Sequence, residues 1–189
     1  MRPLLRLFWL LPLVTVACMR SKNGAEAEQD AAAAEEVPVV ETLSISAETL
    51  GPVRLGMSKT EIESIETMTF TPTEVELEGQ KTPALRAMRD GKPIGTVELQ
   101  NDRATRIRID SSEPKTSKGA HVGMTAKELD AAHGEGKVVT GEGNVCAVFD
   151  DAQGLTFCFK NANPDTKEFS ELLESNPTVS EILVVGLGE

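Results

Sequence analysis

The 189-residue chain has no tyrosine, one tryptophan and six phenylalanines. Carbohydrate platforms and base-stacking surfaces need several exposed rings on one face, and this chain cannot supply them. Basic residues are also scarce. Nineteen Lys and Arg stand against 30 Asp and Glu, for a net charge of −11, which excludes the basic footprint that nucleic acid requires. With two histidines there is no HExxH pair, and no P-loop, glycine-rich dinucleotide fingerprint or convincing Ser/His/Asp set occurs. No hydrophobic run is long enough to span a hydrocarbon core of ~30 Å; the longest, residues 4–17, begins beside Arg2 and is interrupted by Arg6. Apolar residues nevertheless make up 40% of the chain, enough for one core.

The short apolar run reads as a secretory signal peptide over residues 1–18, and it ends on Ala17-Cys18, which looks like the lipobox of bacterial lipoproteins. Cys18 is then the lipidation site, acylated with palmitate and serving as the membrane anchor. Met19 follows it, rather than the Asp associated with inner-membrane retention, so the expected address is the periplasmic face of the outer membrane. The alternative is an ordinary signal peptide and a secreted periplasmic protein. Residues 19–41 are rich in Ala and Glu, with no large aliphatic between Ser21 and Val37, and are expected to be a disordered acidic tether.

A single domain is expected over residues 42–189, built of two repeats at about 42–112 and 113–189. Leu55-Gly56-Met57-Ser58-Lys59-Thr60-Glu61-Ile62 aligns without gaps on Val122-Gly123-Met124-Thr125-Ala126-Lys127-Glu128-Leu129. Each copy holds a glycine for a positive-φ turn and a Ser or Thr three residues before a Glu, the capping box that opens a helix. Met57 with Ile62, and Met124 with Leu129, are placed as hydrophobic staples. Exposed amides at such helix starts also attract anions, but the Glu of each box competes for that position.

Alternating patterns predict strands over 67–77, 84–89, 93–99 and 104–110, with Gln100-Asn101-Asp102-Arg103 as the turn of a hairpin, and over 137–140, 145–149, 155–160 and 179–185. A helix is predicted over 164–174, with Asn163 as its cap and Pro164 at its first position. The expected fold class is α+β: a tandem repeat of short helix plus antiparallel strands, with the helices packed on one side of the sheet.

Cys146 and Cys158 lie on the two strands of one predicted hairpin, and a five-residue loop at 150–154 sets them directly opposite. In an oxidising compartment this reads as a disulfide. Buried free thiols, or a redox or metal site with His121 and His133, are the competing readings. The flanks are apolar, and nothing nearby would depress a thiol pKa. His133 near a helix end is explained by the dipole there. Asp150-Asp151 falls far short of a calcium ligand set. Arg106 and Arg108 project from one face of a strand while Ile107 and Ile109 take the other. They form either a solvated face paired with Glu98 and Asp110 or a docking face for an acidic partner.

The run Gly91-Lys92-Pro93-Ile94-Gly95-Thr96-Val97-Glu98-Leu99, then Arg106-Ile107-Arg108-Ile109-Asp110, Lys118-Gly119-Ala120-His121-Val122-Gly123-Met124-Thr125, His133-Gly134 and the terminal Val179-Ser180-Glu181-Ile182-Leu183-Val184 resembles the YfeY-type family of Gram-negative lipoproteins, a domain of unknown function. The likeness spans roughly residues 50–185. The doubled Gly-Met-Ser/Thr helix starts are more distantly similar to SmpA/BamE-type outer-membrane lipoproteins and to tandem-repeat β-lactamase inhibitors. These resemblances imply binding, scaffolding or inhibition, with no enzymatic activity, no catalytic residue, no cofactor and no metal. The expected protein is a lipid-anchored module that binds another envelope protein; the alternative is a small-ligand binder or hydrolase with its site between the two repeats.

Overall fold

The computed structural model describes residues 42–77, 79–141 and 143–187. The signal peptide, Cys18 and the tether at 19–41 lie outside the described residues. The chain order is β1 (Ser44–Ile45), β2 (Thr49–Leu50), β3 (Val53–Arg54), α1 (Lys59–Glu63), β4 (Thr69–Leu77), β5 (Gln80–Arg89), β6 (Lys92–Gln100), β7 (Arg103–Ile109), β8 (Lys115–Thr116), α2 (Ala126–His133), β9 (Lys137–Gly141), β10 (Asn144–Val148), β11 (Leu155–Lys160), α3 (Phe169–Ser175) and β12 (Thr178–Val184).

The large sheet runs β4-β5-β6-β7-β12-β11-β10-β9, and a small sheet runs β3-β2-β1-β8. All pairs in the large sheet are antiparallel. Among the described residues the one parallel pair is β1 with β8, joining Ser44 to Lys115 and Ile45 to Thr116. The expected α+β class is therefore wrong. The described chain is mainly β, with two sheets and three helices of five, eight and seven residues. Helices this short cannot form a covering layer of their own. Each contributes one or two side chains, among them Ile62, Leu129, Phe169 and Leu172, to a core made chiefly of strand residues.

That core is continuous. Ile45, Leu50 and Val53 of the small sheet join Leu85, Val97, Ile107, Ile109, Phe157 and Ile182 of the large one. Burial of each such large side chain contributes about 1.5–3 kcal/mol. The alternation of β7 is clean: Ile107 and Ile109 face this core, whereas Arg106 and Arg108 face away from it.

Both capping boxes close as the sequence predicts. Ser58 Oγ accepts from the Glu61 amide while Glu61 accepts from the Ser58 amide, and Thr125 and Glu128 do the same. Gly56 (φ 82°) and Gly123 (φ 99°) make the preceding turns. The surrounding bonds also correspond. Gly56 N–H donates to the Ala104 carbonyl at 2.7 Å and Gly123 N–H to the Val179 carbonyl at 2.9 Å. Ala104 N–H returns to Met57 and Val179 N–H to Met124. Each box is thus sewn to the start of a central strand, β7 or β12.

The β6–β7 turn has Asn101 at φ 52° and Asp102 at φ 58°, the two left-handed positions of a tight hairpin. The helix expected over 164–174 is displaced. Asn163 Oδ1 accepts from the Asp165 amide and its carbonyl accepts from the Thr166 amide, so Asn163-Pro164 makes a turn. The helix starts at Phe169 instead, after Glu168, which supplies no side-chain cap. β5 starts earlier than expected, at Gln80, and runs through Pro83. Pro83 pairs with Glu74 of β4 and precedes the first residue that pairs with β6, Ala84, so no ladder bond is lost on that side.

Candidate functional site

A cleft with a cavity of about 560 Å³ is bounded by β1, β8, the end of α2 and the turn at 150–155. Its position follows from the parallel β1–β8 pair, which brings residues 42–47 against 115–118. The turn that closes β10 onto β11 sets Asp151 at the rim, and the last helical residue of α2, His133, also lines the cavity.

These groups make one connected set. Lys118 Nζ bonds Asp151 and also donates to the carbonyl of Ala132 at 3.1 Å, where a cation complements the helix C-terminus. Asp151 Oδ1 lies 2.9 Å from His133 Nδ1. The hydrogen bond from Lys118, and then that from His133, hold the Asp151 carboxyl below its ordinary value. An ionised carboxylate only accepts, so His133 carries its proton on Nδ1. The imidazole is 3% exposed and packs at 5.2 Å from Phe149 and 5.8 Å from Phe157. Its Nε2 is buried and has no hydrogen-bond partner among the described residues. Phe149 in turn meets Phe157 and Phe169 edge-on at 5.6 and 5.5 Å. Gly136 passes so close that a Cβ there would come within 2.8 Å of the Phe149 ring.

A second polar set lies on the outer face of the sheet. Glu98, 2% exposed, accepts from Arg106 Nε at 2.6 Å and from Arg108 at 3.4 Å. Arg108 also reaches Glu181 of β12 at 2.8 Å, so it bridges the β7–β12 seam. Arg86 grips Asp110 with two nitrogens, at 2.6 and 3.2 Å, and donates to Thr96 at 3.0 Å. The arginines expected as docking residues are thus engaged by the chain's own carboxylates. Asp110, expected beside them, pairs with Arg86.

Cys146 stands opposite Cys158 in the β10–β11 register, and a disulfide joins them. Phe157 faces the core and His133, so Cys158, the next residue, faces the other way. The cysteines therefore share no site with His133. His121 bonds the Gly119 carbonyl through Nδ1 at 2.8 Å and does not line the cleft. No group of three or more potential metal ligands occurs among the described residues. Lys118 and Asp151 were not paired with His133 from the sequence, because each residue looks ordinary until the β1–β8 pair and the 150–155 turn bring them together. The short spacing from the capped helix end at His133 to the hairpin turn was the only available signal.

Neither a family model nor a curated protein sequence matches the chain. Among solved structures, the crystal structure of the uncharacterized protein YfeY from Escherichia coli is similar, with a TM-score of 0.55 and 15% identity over 75% of this chain and 99% of that chain. The likeness is one of fold, and fold alone does not carry an activity.

Proposed function

We propose that the protein is a non-enzymatic binding module of the bacterial envelope, anchored through lipidated Cys18 on the periplasmic face of the outer membrane and docking another envelope protein. The observation that carries this reading is the outer part of the β4–β5 hairpin. Along 71–76 and 79–83 every residue is exposed except Val75 and Thr82, which oppose each other and are half-buried. Ordering such an arm costs about 1–2 kcal/mol per residue with little core burial to offset it. A partner laid along the arm supplies that burial, and Pro72, Glu74 and Glu76 on the edge strand discourage indiscriminate strand pairing.

The cleft supports the non-enzymatic half of the reading. A histidine acting as general base must present its free nitrogen to a substrate. Here that nitrogen, Nε2, is the buried one beside Phe149 and Phe157. The disulfide fits an oxidising compartment. The likeness to SmpA/BamE-type lipoproteins read from the sequence points toward scaffolding as well.

The test is site-specific photocrosslinking in the native envelope, with the probe at Glu74, Glu76 or Lys81 and, as controls, at Lys127 and Lys160. One dominant envelope-protein adduct from the arm positions alone, together with an acylated N-terminal peptide, is the expected outcome. No adduct above background, or equal labelling from all five positions, would overturn it.

A further inference from the structure

We infer that the cleft between β1, β8 and the 150–155 turn binds a small monoanion carried on a short apolar stem, of which a medium-chain carboxylate is the simplest representative. This site is independent of the arm and goes beyond the docking role.

Three features of the lining support it. The volume, about 560 Å³, lies within the range of small-ligand sites, roughly 300–1,000 Å³. Ile45, Ala152 and Leu155 provide an apolar wall, and all three also belong to the buried core that holds the cleft in shape. Two ammonium groups, Lys115 and Lys118, line the cleft together with one carboxylate, Asp151. With Lys118 paired to Asp151 the lining keeps one excess ammonium on a chain whose net charge is −11, and an anionic head group complements it.

The groups have separable roles. Lys118 is already committed to Asp151 and to the end of α2, so it is a positioning residue. Lys115 is exposed on β8, and no ion pair of it with another described residue is found, so its ammonium is the one available to a ligand. Ser44, beside it on β1, adds a hydroxyl donor at the same rim. A single head group fits better than a dianion, because Asp151 repels a second charge. The apolar wall distinguishes a carboxylate with a stem from inorganic phosphate.

The experiment uses the full chain in a lipid nanodisc and a photoreactive octanoate analogue, with labelled peptides mapped by mass spectrometry. Label is expected on 42–47 and 151–155, displaced by octanoate at about millimolar concentration, in keeping with a ligand of about ten heavy atoms. Lys115→Gln is expected to weaken competition about three- to fivefold, the value of one exposed charge pair. Octan-1-ol and inorganic phosphate are the controls. Label elsewhere, equal displacement by octan-1-ol, displacement by phosphate alone, or an unchanged Lys115→Gln variant would each overturn the assignment. Because Lys115 lies outside the arm, such a failure leaves the crosslinking result untouched.

Discussion

The two halves of the large sheet meet at β7 and β12, yet they are held together by different chemistry. In β4–β7 the core side chains are aliphatic, Leu85, Ile94, Val97, Ile107 and Ile109, and the outer face is tied by Glu98 with Arg106 and by Arg86 with Asp110. In β9–β12 the core adds phenylalanines, Phe157 and Phe159 on β11 and Phe149 just after β10, to aliphatic residues such as Val145, Leu155, Ile182 and Val184, and the outer face is tied by the Cys146–Cys158 bond. The strands explain the difference. β4 to β6 have nine or ten residues each, whereas β9 and β10 have five. A short strand has few ladder bonds and few cross-strand pairs. Rings with large buried area and a covalent link supply what length does not.

The comparison can be broken first at Phe157, fully buried between His133 and Phe149. Phe157→Ala is expected to cost about 3–5 kcal/mol in urea unfolding, against about 2–4 for Leu85→Ala in the other half. Equal losses would show that the aromatic cluster has no special weight. Next, Cys146→Ser with Cys158→Ser is expected to remove about 3 kcal/mol. Hydrogen exchange should then speed up in β9–β11 and leave β4–β6 protected. Uniform loss of protection would mean that the halves unfold as one unit.

Glu98→Gln probes the first half's outer face. It leaves two arginines facing a neutral amide, with an expected loss of about 2 kcal/mol. High salt should reduce that difference only weakly, since the carboxylate is buried. The smallest effects belong to the paired caps. Ser58→Ala and Thr125→Ala should each cost about 1 kcal/mol, and nearly the same amount, because their bonding is matched. The capping hydrogen bonds lower the pKa of Glu61 through the Ser58 side chain first and of Glu128 through the Thr125 amide first. A depressed folded pKa gives stability that is present above the ordinary carboxylate range and is lost as pH falls through the folded value. The thermal unfolding temperature should therefore fall below about pH 4. Glu61→Gln with Glu128→Gln should flatten that acid limb; an unchanged limb would assign it to Asp151 and other carboxylates.

Legibility in the sequence followed the range of each interaction. The boxes at Ser58 and Thr125, the Asn101-Asp102 turn and the Cys146–Cys158 register depend on residues a few positions apart or on a single hairpin, and were readable. Asn163-Pro164 was misread because one dipeptide serves both a helix start and a turn, and the Asx bond to Asp165 selected the turn. The α+β class failed for a related reason. A capping box marks where a helix begins but not that α1 stops after five residues. The two-residue strands β1, β2, β3 and β8 have no period to detect.

By itself, then, the amino-acid order determined the local vocabulary: where chains turn, which face of each long strand is apolar, which cysteines oppose, and a net charge of −11. Tertiary structure alone decided that Arg108 also reaches Glu181 across the β7–β12 seam, that Lys118, Asp151 and His133 converge, and that Nε2 of that histidine is buried beside Phe149 and Phe157. These are contacts between elements far apart in the chain. Their geometry depends on which strands become neighbours, and hydrophobic pattern constrains the face of a strand without naming its partner.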